Sequence, residues 1–231
     1  MKPKTIYSRH RYPKEIISHV VWLYHRFTLS FQDIEELLAY RGIEVSYESI
    51  RQWCLKFGKT YVKKLRNKHG NKSDIWFLDE VFIKIRGQLH YLWRAVDQDG
   101  EVVDILVQKR KDKKAAKRFF KKLLKKQGRV PYELITDKLR SYGSAKNELM
   151  PSVTHIQDRY ANNRAENSHQ RTRQQERQMR GFKSHKQAQV FLSIHGQVNN
   201  LFNLGRHLLK ADHYRAFRDR ALNEWHRVSY A

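Results

Sequence analysis

The chain has 231 residues, 40% hydrophobic and 12% aromatic, which is enough apolar material for a packed core and argues against intrinsic disorder. Forty-seven Lys and Arg stand against 23 Asp and Glu, a formal net charge of +24 spread along the whole chain; that favours a polyanionic partner, and nucleic acid over a membrane surface. One cysteine, Cys54, excludes an intrachain disulfide and a cysteine-rich zinc site, and no long apolar run suggests a signal peptide or membrane span.

Pro13 opens a helical pattern carried by Ile16, Ile17, Val20, Val21, Leu23 and Tyr24 to about Arg26. Ser30 is placed to cap a second helix, with Asp33 three residues on completing a capping box. That helix ends at Gly42, and a third, "YESIRQWCLKF", starts after Ser46 with Ile50, Trp53 and Phe57 facing inward. The order reads as a helix-turn-helix over residues 1–57, its third helix presenting Tyr47, Glu48, Arg51, Gln52 and Lys56. A plain three-helix bundle fits this segment equally well. Residues 58–73, with six basic residues and no acid, read as a basic linker lying along DNA, with room for a short helix.

From residue 74 the texture changes. "DIWFLDEVFIKIRG", "HYLWRAVD" and "EVVDILVQKR" are three strands joined by tight turns, an antiparallel meander. A helix follows with Ala116, Phe119, Phe120, Leu123 and Leu124 on one stripe and lysines elsewhere. If it is a crossover, "YELITDK" is a strand parallel to the first. "THIQD" is a further short strand, and an Arg-rich helix comes next. This order predicts an α/β, ribonuclease-H-like mixed sheet over residues 74–186, three antiparallel strands then parallel ones flanked by helices, preceded by the small all-α domain. Residues 187–231 are expected as helices packing on that core or on a partner subunit.

In such a sheet Asp79, mid-strand in the first strand, and Asp137, at the end of the fourth, lie side by side. Both sit in apolar strands, where an uncompensated carboxylate is costly. From Arg159 to Lys186 eight Lys and Arg accompany two acids, Glu166 and Glu176, and a late helix crossing the sheet edge would bring Glu166 to the same point. Two Asp and one Glu make a hard, oxygen-only site for Mg²⁺, with Mn²⁺ an alternative. Two such ions about 3.5–4 Å apart serve in-line displacement at a phosphodiester. Asp79, Asp137 and Glu166 are therefore the candidate catalytic residues and metal ligands. Glu80 points to the opposite strand face and reads as structural, Asp97 and Asp99 as turn residues, and Glu176 as a salt-bridge partner.

"FLDEVFIKIRGQLHYLWRAVDQDG", "LITDKLRSYG" and "YANNRAENSHQRTRQQERQMRGFKS" resemble the DDE transposases of the insertion-sequence-six family, and the likeness runs from about Tyr12 to Leu209. The resemblance implies a DNA-binding helix-turn-helix and a ribonuclease-H-like domain that cuts and joins strands. The family's two aspartates fall on Asp79 and Asp137 and its glutamate on Glu166; the interval between the last two is shorter here than in much-studied members. Lys138 reads either as a phosphate contact or as a solvated lysine. His169, one turn after Glu166, reads as a group orienting the scissile phosphate or a ligand, or as a plain surface histidine. Asn162 and Asn163 suit a helix cap, and Arg164, Arg171, Arg173 and Arg177 suit DNA-backbone contacts or solvated positions.

The expected partners are DNA, as transposon ends and target, and a second copy in a homodimer, with no membrane and no small-molecule cofactor. The expected location is the cytoplasm of a prokaryotic cell, at the nucleoid. The leading function is transposition by metal-dependent cleavage and strand transfer. A non-catalytic helix-turn-helix regulator is the rival, and a general nuclease on the same fold a third reading.

Overall fold

A computed structural model describes residues 6–68, 74–137, 140–158, 169–179, 181–205 and 208–230. Two compact units emerge, one of residues 1–68 and 197–231, the other of residues 69–196.

The first unit is helical: α1 (Lys14–Arg26), α2 (Phe31–Ala39) and α3 (Tyr47–Lys68), with the C-terminal helix α8 (Ala211–Tyr230). The capping box forms as its spacing requires: Asp33 N–H donates to Ser30 Oγ at 3.0 Å and Ser30 N–H to Asp33 Oδ2 at 2.7 Å. Gly42 holds φ +71° in the turn before α3, a backbone state that costs glycine little. Ile50, Trp53 and Phe57 are buried, as the pattern predicts.

The segment expected as a linker is corrected over residues 58–68, which continue α3. Tyr61, Val62 and Leu65 extend the apolar stripe of Phe57 and are all buried, so the lysines between them occupy the solvated faces of one long helix. Residues 69–73 lie outside the described residues. The C-terminal expectation also changes. Residues 185–196 of α7 (His185–Leu201) group with the sheet, whereas residues 197–231 group with the N-terminal helices. There Trp225 meets Tyr61 edge to face at 5.4 Å and Ser18 Oγ donates to Ser229 Oγ at 2.7 Å. The last helix therefore closes the core of the N-terminal unit.

The second unit carries a five-stranded sheet: β1 (Ile75–Ile85), β2 (Gln88–Asp97), β3 (Val102–Gln108), β4 (Glu133–Thr136) and β5 (Thr154–Gln157), in the order β3-β2-β1-β4-β5. β1, β2 and β3 pair antiparallel, and β4 and β5 add in parallel. α4 (Lys113–Gln127) is the crossover between β3 and β4. This is the ribonuclease-H-like arrangement expected from the element order.

Asp97 makes the β2–β3 turn by accepting the Asp99 and Glu101 N–H groups. One sheet face, with Trp76, Leu78 and Trp93, packs against Phe119, Phe120 and Leu123 of α4 and against Tyr142 and Ala145 of α5 (Arg140–Leu149). α6 (Gln170–Gln178) lies beyond β5 in sequence. β1 outruns β4 by seven residues past Leu78, and this part of its backbone meets the α6 end instead. Lys84 N–H donates to Glu176 Oε1 at 3.2 Å and Arg86 N–H to the Phe182 carbonyl at 3.0 Å. Glu176, expected in a salt bridge, is thus a backbone acceptor, and burial raises its carboxyl above the ordinary range.

Phe120→Ala should lower unfolding free energy by about 3–5 kcal/mol, the usual cost of emptying a fully buried Phe site. Lys125→Ala on the exposed side of α4 should change it by under about 0.5 kcal/mol. Denaturant melts of both variants check the pair.

Candidate active site

The last paired residues of β1 and β4 are Leu78 and Thr136. Asp79 and Asp137 are each the next residue on two adjacent parallel strands, so the register carries both carboxylates to the same end of the same strand pair. Both are partly exposed. Their charges reach Lys111 and Tyr142: burial lowers the Lys111 pKa but the Glu80 pair outweighs it, burial and then Glu80 raise that of Tyr142, and Asp79 and Asp137 add to both rises.

Side-chain alternation divides the surroundings into two clusters. On the Asp79 face, Arg94 of β2 is its direct cross-strand partner. The guanidinium is fully enclosed; burial draws its pKa down to about 10, opposed by Asp79, so it keeps its charge at neutral pH. It donates a long contact, 3.5 Å, to Thr172 Oγ1 of α6. Asp79 Oδ1 accepts the Glu80 N–H at 2.8 Å, and Oδ2 lies 2.7 Å from His169 Nε2, outside good hydrogen-bond angles. His169 is 4% exposed, not on an open helix face. Burial, reinforced by Arg94 and Arg173, lowers its pKa to about 3, so a neutral imidazole and a cation flank the carboxylate.

The opposite face holds Glu80 in the helix-covered core. Lys111 pairs with its Oε1 and Tyr142 O–H donates to its Oε2 at 2.7 Å. Burial raises the Glu80 carboxyl, Lys111 and Tyr142 pull it back down, and Asp137 raises it further. A buried carboxylate persists here because both of its oxygens are met.

Glu166, Asn162, Asn163, Arg164 and Lys138 lie outside the described residues, as does the Arg171 side chain. Among the described residues no three His, Cys, Asp or Glu converge on a metal-holding arrangement; the described pair supplies two carboxylates. The donor chemistry of Asp79 and Asp137, hard oxygens in a basic protein, fits Mg²⁺ or Mn²⁺. Of the expected DNA contacts, Arg173 is exposed. Arg51 and Gln52 are exposed on α3, where both donate to Glu48, whose pKa Arg51 and then Gln52 hold down to about 2. Lys56 is exposed beside His10 Nε2 at 2.8 Å.

Arg94, Lys111 and Tyr142 escape a reading of the sequence as a row of acids. The interruption of "YLWRAVD" by a lone arginine marks Arg94. The helical spacing of Tyr142, Ala145 and Leu149 marks α5 within a stretch that otherwise reads as a loop.

A ribonuclease-H-like sheet with one aspartate midway along its first strand and another at the end of the adjacent parallel fourth strand is the frame of an enzyme that processes nucleic-acid strands. Residues 73–204 match a family model, DDE_Tnp_IS240, described as a DDE domain. The Staphylococcus aureus transposase for insertion sequence-like element IS431mec is 32% identical over 169 residues, 71% of this chain and 75% of that protein. The transposase for insertion sequence element IS257 in transposon Tn4003, also from Staphylococcus aureus, is 32% identical over the same shares. Among solved structures, the HTLV-2 integrase catalytic core domain in complex with magnesium is similar at TM-score 0.35 and 17% identity, over 43% of this chain and 67% of that chain. The chain belongs to the DDE transposases of insertion sequences, the insertion-sequence-six family.

Tyr142→Phe removes a hydrogen bond to a buried carboxylate and leaves Asp79 and Asp137 intact. It should cost about 1.5–3 kcal/mol of stability, the range for bonds to charged groups, read from the urea midpoint at constant slope.

Proposed function

We propose that this chain binds the terminal inverted repeats of its insertion sequence through the exposed face of α3, with Arg51, Gln52 and Lys56 as contacts. It then cuts the element's ends and joins the freed 3′-hydroxyl to target DNA. The observation that carries the reading is the β1–β4 register, which puts Asp79 of β1 and Asp137 after β4 side by side, each the next residue after the last β1–β4 pair. Glu166 is the third carboxylate in this proposal. Its support is the family motif together with the local chain path, since His169, three residues later, lies against Asp79.

Asp79, Asp137 and Glu166 would hold two Mg²⁺ ions, which when bound supply an activated hydroxyl and stabilise the leaving oxygen of the phosphodiester. The chain's own residues do the rest. Arg94 offsets the charge of Asp79 from beneath and ties β2 to α6. His169, neutral and buried, sets the direction of the Asp79 carboxylate, as an outer partner of a metal ligand does. Arg173, with Lys138, Arg164 and Arg171, would hold the DNA backbone by phosphate contacts that position without reading sequence. DNA is the partner, and a homodimer would bring two ends together. The chain would act in the cytoplasm, at the nucleoid; no helix among the described residues is long and apolar enough to cross a membrane.

The test is cleavage and strand transfer on the element's own ends with Mg²⁺. Glu166→Gln and Asp79→Asn should each lose more than the roughly 100-fold that removal of an outer-shell partner costs, while end binding is kept. Equal activity of Glu166→Gln and the wild type removes Glu166 from the mechanism.

A further inference from the structure

Between the end of β3 and the first turns of α4 lies a cleft of about 700 Å³, lined by Lys109, Arg110, Lys114, Arg118 and His185 among others. Asp112 is the one acid among the described residues of its wall, and its carboxylate caps α4 by accepting the Ala115 N–H at 2.8 Å.

The neighbouring cations differ from those in the cleft. Lys111 pairs with Glu80, Lys117 with Glu148, and Lys122 and Lys126 with Asp104. Among the described residues, Lys109, Arg110, Lys114 and Arg118 form no ion pair, and all four are exposed. Arg110, Lys114 and Arg118 recur every fourth residue, which aligns the two helical ones on one side of α4 and carries the row back into the loop before it. Four unpaired cations gathered around one concavity repel one another, and an anion lying among them relieves that cost. His185 closes the wall: its Nε2 is 2.8 Å from the Val107 carbonyl and caps the open edge of β3. The cleft also lies near the carboxylate cluster. Lys111, the residue after Arg110, pairs with Glu80 and stands close enough to Asp137 and Asp79 for their charges to act on it.

We propose that this cleft is a second phosphodiester site, holding the backbone of a DNA segment that continues from the carboxylates at Asp79 and Asp137. The inference rests on the DNA-processing reading above. Its ligand is a run of backbone phosphates, not a single phosphate, since four cations border an open cleft instead of enclosing one anion. The same chemistry is offered by DNA flanking the element's end and by target DNA.

Cross-linking tests the proposal and separates those sources. Cys54, the chain's one cysteine, is 3% exposed, so Lys114→Cys in the full-length protein introduces the one accessible thiol. Duplexes carrying a disulfide tether on a single phosphate are offered without divalent metal in two arms: element end with its flank, and target DNA beside an untethered end. Lys121→Cys is the control, being exposed on α4 within electrostatic reach of Glu148 and absent from the cleft wall. Lys114→Cys should cross-link at least about tenfold more than the control at one or two tether positions, and the arm that does so names the DNA.

In parallel, Arg110→Glu/Lys114→Glu/Arg118→Glu should reduce the salt slope of DNA binding by about 2–3, at about 0.9 per phosphate contact. Cross-linking no greater than the control in both arms, or an unchanged slope, overturns the proposal. A Glu166→Gln background carries the same cross-links whether or not the protein cuts, so failure of the cleavage reading is told apart from failure of the cleft.

Discussion

The structure turns on one register. β4 pairs in parallel with only the first four residues of β1, Ile75 to Leu78, and both strands then carry an aspartate at the next position. A shift of one residue in that pairing would send one carboxylate to the opposite face of the sheet. What fixes the alignment is apolar: Trp76, Leu78 and Leu134 sit in one buried cluster with Phe119, Phe120 and Tyr142. The crossover helix that delivers β4 is anchored in the same cluster. Packing on one face of the sheet thus sets the spacing of charges at the strand ends.

Charges so near a core need compensation, and each strand face provides its own. Beneath Asp79 stands Arg94, fully enclosed yet protonated, with a neutral His169 against the outer oxygen. On the other face Glu80 is clamped by Lys111 and Tyr142. Two adjacent acids in β1 therefore have different characters because they alternate across the sheet. Glu80 is spent on internal contacts, whereas Asp79 is partly exposed where the β1–β4 pairing ends, next to Asp137. In the proposed mechanism such carboxylates are kept in a basic protein because its own cations cannot generate a nucleophile from water, whereas bound divalent ions would at neutral pH.

Much of this was legible in the sequence. Apolar runs rich in β-branched and aromatic residues, with turn residues between them, gave the meander, the Phe119–Leu123 stripe gave the crossover, and the Ser30–Asp33 box formed as spaced. Other parts were hidden for physical reasons. The lysines of residues 58–68 read as a linker because charge masked the apolar stripe of Tyr61 and Leu65, which is visible only when Phe57 is taken as part of it. α5 was hidden by its shortness and by Gly143, and with it Tyr142. The burial of His169 could not be read from a helix dense in arginine, since its burial depends on packing against β1. The grouping of residues 197–231 with the N-terminal helices is a long-range event that local pattern does not encode. Of the candidate triad, the sheet orders two members, and the third rests on the motif around Glu166.

The most direct measurement is divalent-ion binding itself, by Mn²⁺ titration of the full-length protein followed by electron paramagnetic resonance, on the wild type and on Asp79→Asn, Asp137→Asn and Glu166→Gln. If the three carboxylates form one site, each substitution weakens Mn²⁺ binding by at least about tenfold. A Glu166→Gln or Asp137→Asn protein that titrates like the wild type contradicts a shared site.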